Sequence, residues 1–278
     1  QHFVADLSNS NIRYDKFTSL NRDAKNARGQ WDWHLSPRIS GTVSADHIES
    51  AVLQQDILLG KRLITTTTDS QRFSVDGWLF GGWHLLAGAS HSNFVNGQVF
   101  AAVPGTKQTT GEIGARYVAA SGSSITAMHR WTDGVYPGQG GSLGSVIDNK
   151  FTVRETELSA AWIVSMRSTL NGRLTWIDRR YDGFPALDFS GKNAELRYNW
   201  TPSGRLSVNA SALRTLTPCF QLGSSDRADN TYSIGPTWTI SDKVTLSMSA
   251  NRLVTDYLGR VLPVPGPQRQ DTTNSAQA

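Results

Sequence analysis

Tyr198-Asn-Trp-Thr-Pro-Ser-Gly-Arg-Leu-Ser-Val-Asn-Ala210 is the stretch that decides the fold. In the arm leading into it, Ala194, Leu196, Tyr198 and Trp200 share one face, and Glu195, Arg197 and Asn199 take the other. Beyond the Pro-Ser-Gly-Arg turn, Leu206, Val208, Ala210 and Ala212 oppose Ser207, Asn209 and Ser211. Side chains alternate sides at period two along a strand, so each arm has one apolar and one polar face. Two such arms joined by turn residues read as a β-hairpin.

The unit recurs at about 40 residues, the mark of a repeated supersecondary element. Trp31-Asp-Trp-His-Leu-Ser-Pro-Arg-Ile-Ser-Gly-Thr-Val43 and Trp238-Thr-Ile-Ser-Asp-Lys-Val-Thr-Leu-Ser-Met-Ser-Ala250 repeat it closely. Weaker copies begin at Trp78, Tyr117 and Trp162. Each carries an aromatic, a short turn, often a basic residue, and then an alternating strand.

Composition narrows the setting. Of 278 residues, 38% are apolar, and no apolar run approaches the roughly 18 residues that a membrane helix needs. Barrel strands escape that test because half of each strand is polar. Nine Trp suit a membrane interface, where a ring is wetted at one end and apolar at the other. Lys and Arg are scattered, which speaks against a nucleic-acid surface despite a net charge of +4. One cysteine, Cys219, leaves no internal disulfide framework.

A soluble sandwich would share the alternation. Connection lengths favour a barrel instead. Short turns near Ser36-Pro37, Gly81-Gly82, Ser121-Gly122, Ser165-Met166, Ser203-Gly204 and Ser241-Asp242 alternate with long polar segments around 13–24, 47–68, 92–108, 134–149, 181–190, 216–229 and 256–270. Short periplasmic turns and long outer loops are the outer-membrane pattern. Trp31, Trp33, Trp78, Tyr117, Trp162, Tyr198, Trp200 and Trp238 lie beside the short turns, as an interfacial girdle against membrane lipid would. Trp131, Trp176 and Tyr257 form a second set roughly ten residues on, about the length of a tilted spanning strand.

The expectation is all-β: one antiparallel up-and-down transmembrane β-barrel domain over 1–278, in the bacterial outer membrane. The turn signals give about 13 strands and the start of another, whereas an intact barrel of this kind has an even number and no open edge. The last residues, Asp271 to Ala278, break off as a polar strand begins, so the expectation is a fragment lacking strands at both ends.

A family resemblance rides on these hairpins. Asp6-Leu-Ser-Asn-Ser-Asn-Ile-Arg-Tyr-Asp-Lys-Phe17, Trp83-His-Leu-Leu-Ala-Gly88, Arg116-Tyr-Val-Ala-Ala-Ser-Gly-Ser-Ser-Ile125 and Leu187-Asp-Phe-Ser-Gly191, with the Trp-Thr-Pro-Ser-Gly-Arg-Leu-Ser turn, resemble the EpsL family of outer-membrane proteins. The resemblance implies a porin-like barrel associated with exopolysaccharide biosynthesis and polysaccharide-export machinery, acting as conduit or docking scaffold. It supplies no catalytic residue and no cofactor.

On the polar faces, Glu112, Arg116, Glu155, Glu157, Arg173, Arg179, Glu195 and Arg197 are candidates to line the lumen and steer a sugar chain. The same charges serve equally to pair neighbouring strands across a narrow interior. Glu155 and Glu157 lie on one face about 7 Å apart, a spacing also compatible with glycosidic hydrolysis. The six histidines show no metal-binding spacing, and His34 and His84 read as interfacial. No Gly-x-Ser-x-Gly elbow marks a nucleophile. The run Ala51-Val-Leu and Ile57-Leu-Leu-Gly60 reads as a loop folded inward or packed on the rim, and Trp131, Tyr136, Tyr181 and Phe184 as loop aromatics able to stack on sugars. The rival readings are a general diffusion porin, a barrel hydrolase acting on lipid or polysaccharide, and a soluble carbohydrate-binding sandwich.

Overall fold

Strands follow one another along the chain with a hairpin between each pair. The computed structural model describes residues 1–16, 21–56, 60–96, 105–137, 150–182, 185–218, 226–259 and 269–277, without side chains at 22, 51–56, 60–64 and 186. The strands are β1 (His2–Ile12), β2 (Arg22–Ser36), β3 (Ile39–Asp56), β4 (Gly60–Phe80), β5 (Trp83–Asn96), β6 (Thr106–Val118), β7 (Ser124–Val135), β8 (Lys150–Ser165) and β9 (Ser168–Tyr181). After a 3-10 turn at Pro185–Leu187 come β10 (Phe189–Ser203), β11 (Leu206–Pro218), β12 (Asp226–Ser241), β13 (Val244–Ser247), β14 (Ser249–Leu258) and β15 (Gln270–Gln277).

All belong to one antiparallel sheet in chain order, open between β1 and β15 among the described residues. This is the up-and-down order that the repeated hairpins require. β13 and β14 are one strand interrupted at Met248, and the cause is Pro236 on β12. Met248 N donates to Pro236 O at 3.0 Å. The reciprocal bond cannot form because proline has no N–H.

The short turns have a shared chemistry. Ser36, Ser165, Ser203 and Ser241 each accept, through Oγ, from the backbone N–H two residues on, at Arg38, Arg167, Arg205 and Lys243. A serine hydroxyl that closes on its own backbone in this way stabilises a tight turn. The turns are then stitched sideways. Trp78 N donates to Arg38 O, Thr201 N to Arg167 O and Thr239 N to Arg205 O, at 2.7–2.8 Å. Gly81 and Gly122 supply the positive φ, 54° and 82°, that two other turns need.

Residues 47–56 and 60–68 are strand and not loop, and Ile57, Leu58 and Leu59 lie outside the described residues. β3 and β4 stay paired from Ile39↔Gly77 to Asp56↔Gly60, so this hairpin continues well past the level where its neighbours turn. Its Thr65–Thr68 run is rich in the β-branched residues that favour a strand. Cys219, Phe184, the Gly-rich run after Pro137 and the Pro263–Pro267 run lie outside the described residues.

Register assigns the faces, because directly opposed residues of an antiparallel pair share a side. One face carries Phe73, Ile113, Leu158, Leu196, Val208 and Ile234, and it is broadly exposed. The other carries Arg72, Glu112, Arg130, Glu157 and Glu195. On that polar side, residues from β7 through β12 converge on one buried cluster, and charges from non-adjacent strands meet. The polar face is therefore the concave one and the apolar face the convex one.

Candidate functional site

The convex face has a belt. Counting outward from each short turn, it is apolar for roughly ten residues and then turns polar or charged on successive strands. On β10 the convex sequence is Trp200, Tyr198, Leu196, Ala194, Lys192; on β8 it is Trp162, Ala160, Leu158, Thr156, Arg154. Eight residues of tilted strand rise about 20–25 Å, the height of the lipid-facing band of an outer-membrane barrel. Trp131 and Trp176 sit at its loop-side border with Tyr232, whereas Tyr257, paired with Arg227, is out of phase with that face. Such a belt of large exposed apolar side chains, bracketed by aromatics, fits lipid and not water.

Of the girdle set, Trp31, Trp33, Tyr117, Trp162, Tyr198, Trp200 and Trp238 lie on this convex face. Trp33 stacks on Phe73 with centroids 6.1 Å apart, over the space that Gly41 leaves open. Trp78 departs from the set. It opposes His84, so it falls on the charge-bearing side, with Arg38 4.8 Å above its ring and Nε1 donating to Gly81 O at 2.7 Å. The bulge that follows, between Trp78 and Phe80, brings Phe80 opposite Trp83 on the convex side instead. His34 and His84 likewise lie on the concave face, not at the lipid interface. There His84 Nδ1 is 2.7 Å from Asp76 Oδ1.

The concave face holds the charges. Glu112, Arg116, Glu155, Glu157, Arg173, Arg179, Glu195 and Arg197 all fall on it by register. Six of them, Glu112, Arg116, Glu157, Arg173, Glu195 and Arg197, form ion pairs among themselves and with residues not singled out from the sequence: Arg72 on β4, Asp76 on β4 and Arg130 on β7. Arg72 Nη2 meets Glu112 Oε1 at 2.7 Å, Arg130 Nε meets Glu112 Oε2 at 3.0 Å, and Arg130 Nη1 meets Glu157 Oε2 at 2.8 Å. Arg116 pairs with Asp76, and Glu195 with both Arg173 and Arg197. Glu112, Glu157 and Glu195 keep only 11–12% of their side-chain surface, so these carboxylates depend on their arginines for compensation.

Two of these pairs jump a strand. Arg72 and Glu112 lie on either side of β5, and the residue between them is Gly88, opposed to Ser74 and Glu112. A Cβ on Gly88 would stand 2.6 Å from Glu112 Oε1 and 3.0 Å from the Phe73 carbonyl. Glycine therefore opens the crossing. Gly88→Val is expected to push Glu112 off Arg72, leave both charges poorly paired and destabilise the barrel by about 1–3 kcal/mol. Urea titration of the reconstituted variant checks this, and an unchanged midpoint would refute the role given to Gly88.

Hollows follow the charges. One of about 600 Å³ is lined by Asp32, Thr42, Arg72, Asp76, Glu112 and Arg116. A second, of about 540 Å³, is lined by Glu157, Asn171, Arg173, Glu195, Arg197 and Asn199. Glu155 borders a third, about 200 Å³, with Arg130, Glu157 and Glu195. Arg116 Nε is buried without a hydrogen-bond partner among the described residues. No group of three or more His, Cys, Asp or Glu is placed to hold a metal among the described residues.

Toward the loop side the concave face changes character. Tyr136, Phe151, Val153, Ile177, Tyr181, Leu187, Phe189, Leu216 and Ala228 form the buried cluster. Arg179 lies inside it and does not line an open lumen. Its guanidinium is 3.8 Å from the Phe151 ring centre, and Nη2 donates to the Tyr136 hydroxyl at 2.6 Å. Burial pushes the Tyr136 phenol well above its ordinary range. Tyr136 and Tyr181 are only 3% and 4% exposed, so neither offers a free ring to a sugar.

Comparison with known proteins agrees on architecture. No family model matches the chain, and no curated protein matches it. Among solved structures it is similar to the siderophore receptor PirA from Pseudomonas aeruginosa, at TM-score 0.55 and 11% identity over 93% of this chain and 52% of that one. It is similar also to PirA from Acinetobacter baumannii, at TM-score 0.53 and 12% identity over 91% and 47%. The ferric enterobactin receptor PfeA from Pseudomonas aeruginosa matches at 0.54 and 12% over 84% and 42%. The chain has the fold of a sheet from a bacterial outer-membrane β-barrel. It spans about half the length of the solved barrels it matches.

Proposed function

We propose that this outer-membrane sheet walls a conduit or docking channel for exopolysaccharide, in the manner of the EpsL family that its hairpins resemble. The observation that carries the reading is the concave chain of paired charges, Arg72–Glu112–Arg130–Glu157 and Arg173–Glu195–Arg197. A translocated polymer must be bound well enough to enter and weakly enough to leave. Charges already neutralised by their neighbours offer many modest donors and acceptors and no single deep well. Asn171, Asn199, Thr42 and Thr126, in the same hollows, add the neutral partners that sugar hydroxyls use.

The test is single-channel conductance of the full protein in planar bilayers, with and without exopolysaccharide fragments. The expected result is stable conductance blocked by the polymer, with block weakened several-fold in Glu112→Gln/Glu195→Gln. Conductance indifferent to the polymer would move the reading to a general diffusion porin. Block by a ferric siderophore alone would align the chain with the receptors whose fold it shares. Turnover of the added polysaccharide would instead establish the hydrolase.

A further inference from the structure

Ion pairs on the concave face share an asymmetry. The carboxylates lie low against the sheet, and the guanidinium groups stand above them. Glu195 keeps 12% of its side-chain surface, whereas its partners Arg173 and Arg197 keep 50% and 63%. Arg72 keeps 59% over Glu112 at 11%, and Arg28 64% over Asp46 at 21%. A count of formal charges hides this. A ligand in the lumen meets guanidinium edges first and the compensating carboxylates second.

In the hollow of about 540 Å³ the asymmetry becomes an excess of charge, because one carboxylate serves two arginines. Arg173 on β9 opposes Glu195 directly, and Arg197 follows two residues along β10 on the same face. The other carboxylate of the hollow, Glu157, is taken by Arg130 at 2.8 Å. Glu155, the next acid on β8, borders the neighbouring hollow and not this one, and Arg173 lines both. One positive charge is left over, shared by two guanidinium groups whose strand positions are diagonal neighbours about 7 Å apart. Arg173 uses Nη2 and Arg197 uses Nε for Glu195, which is a part of the five donors that each guanidinium carries.

The surroundings are neutral and polar. Thr126, Ser159, Asn171 and Asn199 line the same hollow. On β11 the face continues with Ser211 opposite Arg197 and Asn209 opposite Asn199. Hydroxyls and amides both donate and accept, as sugar hydroxyls require. Arg173 and Arg197 lie within six residues of the short turns at Ser168 and Ser203, in the turn-side half of the wall.

We infer that this hollow is a subsite for an acidic sugar residue, whose carboxylate bridges Arg173 and Arg197 while its hydroxyls meet the Ser, Thr and Asn side chains around them. The inference rests on the conduit reading of the concave face and names the polymer as one that bears uronic acids. A planar carboxylate accepts paired bonds from a guanidinium fork, a match that neutral sugars lack. Glu195 is the positioning residue: it holds both forks in place beneath the ligand.

The experiment is isothermal titration of the full protein in detergent micelles, which does not depend on an open channel. The probes are trigalacturonate, the same trisaccharide reduced at its carboxyls, and citrate. Trigalacturonate is expected to bind at least tenfold tighter than the reduced sugar, with the preference shrinking as salt rises. Arg173→Gln/Arg197→Gln removes the preference and leaves the weaker binding of the reduced sugar in place. Arg28→Gln/Arg227→Gln takes two guanidinium groups from the same face outside this hollow and preserves it. If the Arg173/Arg197 variant fails to fold, Arg197→Gln alone is expected to cost about threefold. Equal affinity for the two sugars, or a preference unchanged in the Arg173/Arg197 variant, overturns the acidic subsite and leaves the conduit reading standing for a neutral polymer. Citrate bound as tightly as trigalacturonate overturns the sugar assignment in favour of a small-carboxylate site. Absence of binding by either sugar overturns the conduit reading as well.

Discussion

Leu196→Arg is expected to cost the folded barrel about 2–4 kcal/mol, the penalty for a cation at the centre of a barrel's lipid face. Leu196 stands midway between Trp200, in the turn-side girdle, and Lys192, the first charge above the belt, all on the convex face of β10. It is 49% exposed in the absence of lipid, so no protein packing is lost when it is replaced by a longer side chain. The cost comes from dehydrating a guanidinium four residues from either border, farther than its stem can snorkel without thinning the bilayer. Asn199→Arg, on the same strand but the concave face, is expected to stay within about 0.5 kcal/mol of the parent. Urea-dependent folding into vesicles separates the two. If Leu196→Arg folds as readily as Asn199→Arg, the convex face is not in lipid.

The alternation that predicts this contrast is legible in the sequence itself. Period-two reading of Ala194–Trp200 and Leu206–Ala212 assigns the faces that the register shows, and the serine turns mark where each hairpin closes. Trp78 has the aromatic character of the girdle but not its phase: Phe73 and Val75 set the convex parity, and Trp78 is out of step with them. Residues 47–56 and 60–68 differ from a loop reading for a related reason. Polar residues on both sides of a strand read as a loop, yet a hairpin that continues past the lipid belt has water on both faces and no need of an apolar one.

The ion-pair chain was only half legible. Glu112 and Arg116 stand out because charge inside an alternating strand is conspicuous, but their partners Arg72 and Asp76 lie two strands away. Nothing in one strand's pattern encodes what reaches it across another. The signal was present in Gly88, a glycine amid the alternating residues of β5, since a missing side chain within a strand marks a close approach. Gly134 is a second instance. A Cβ there would lie 2.1 Å from the Phe151 ring, so this glycine on β7 makes room for the aromatic of β8.

That ring carries the other large effect. Phe151→Ala is expected to lower stability by about 3–5 kcal/mol, the usual cost of emptying a buried phenylalanine site. Phe151 is 2% exposed and lies 5.0 Å from the Tyr136 ring and 6.1 Å from Tyr181, centre to centre. Its removal also strips Arg179 of the nearest aromatic face, while Arg179 Nε already lacks a hydrogen-bond partner among the described residues. A partly buried guanidinium that loses its cation–π partner has every reason to seek water. Because the cluster fills the loop-side end of the concave face, water drawn there widens the path for ions. Phe151→Ala is therefore expected to show both an earlier urea midpoint and a raised single-channel conductance, and Phe151→Leu a smaller change in each. Lost stability without a change in conductance would make the cluster a fastening of the wall, with the permeation path elsewhere. A conductance rise in step with lost stability would identify the cluster as the constriction.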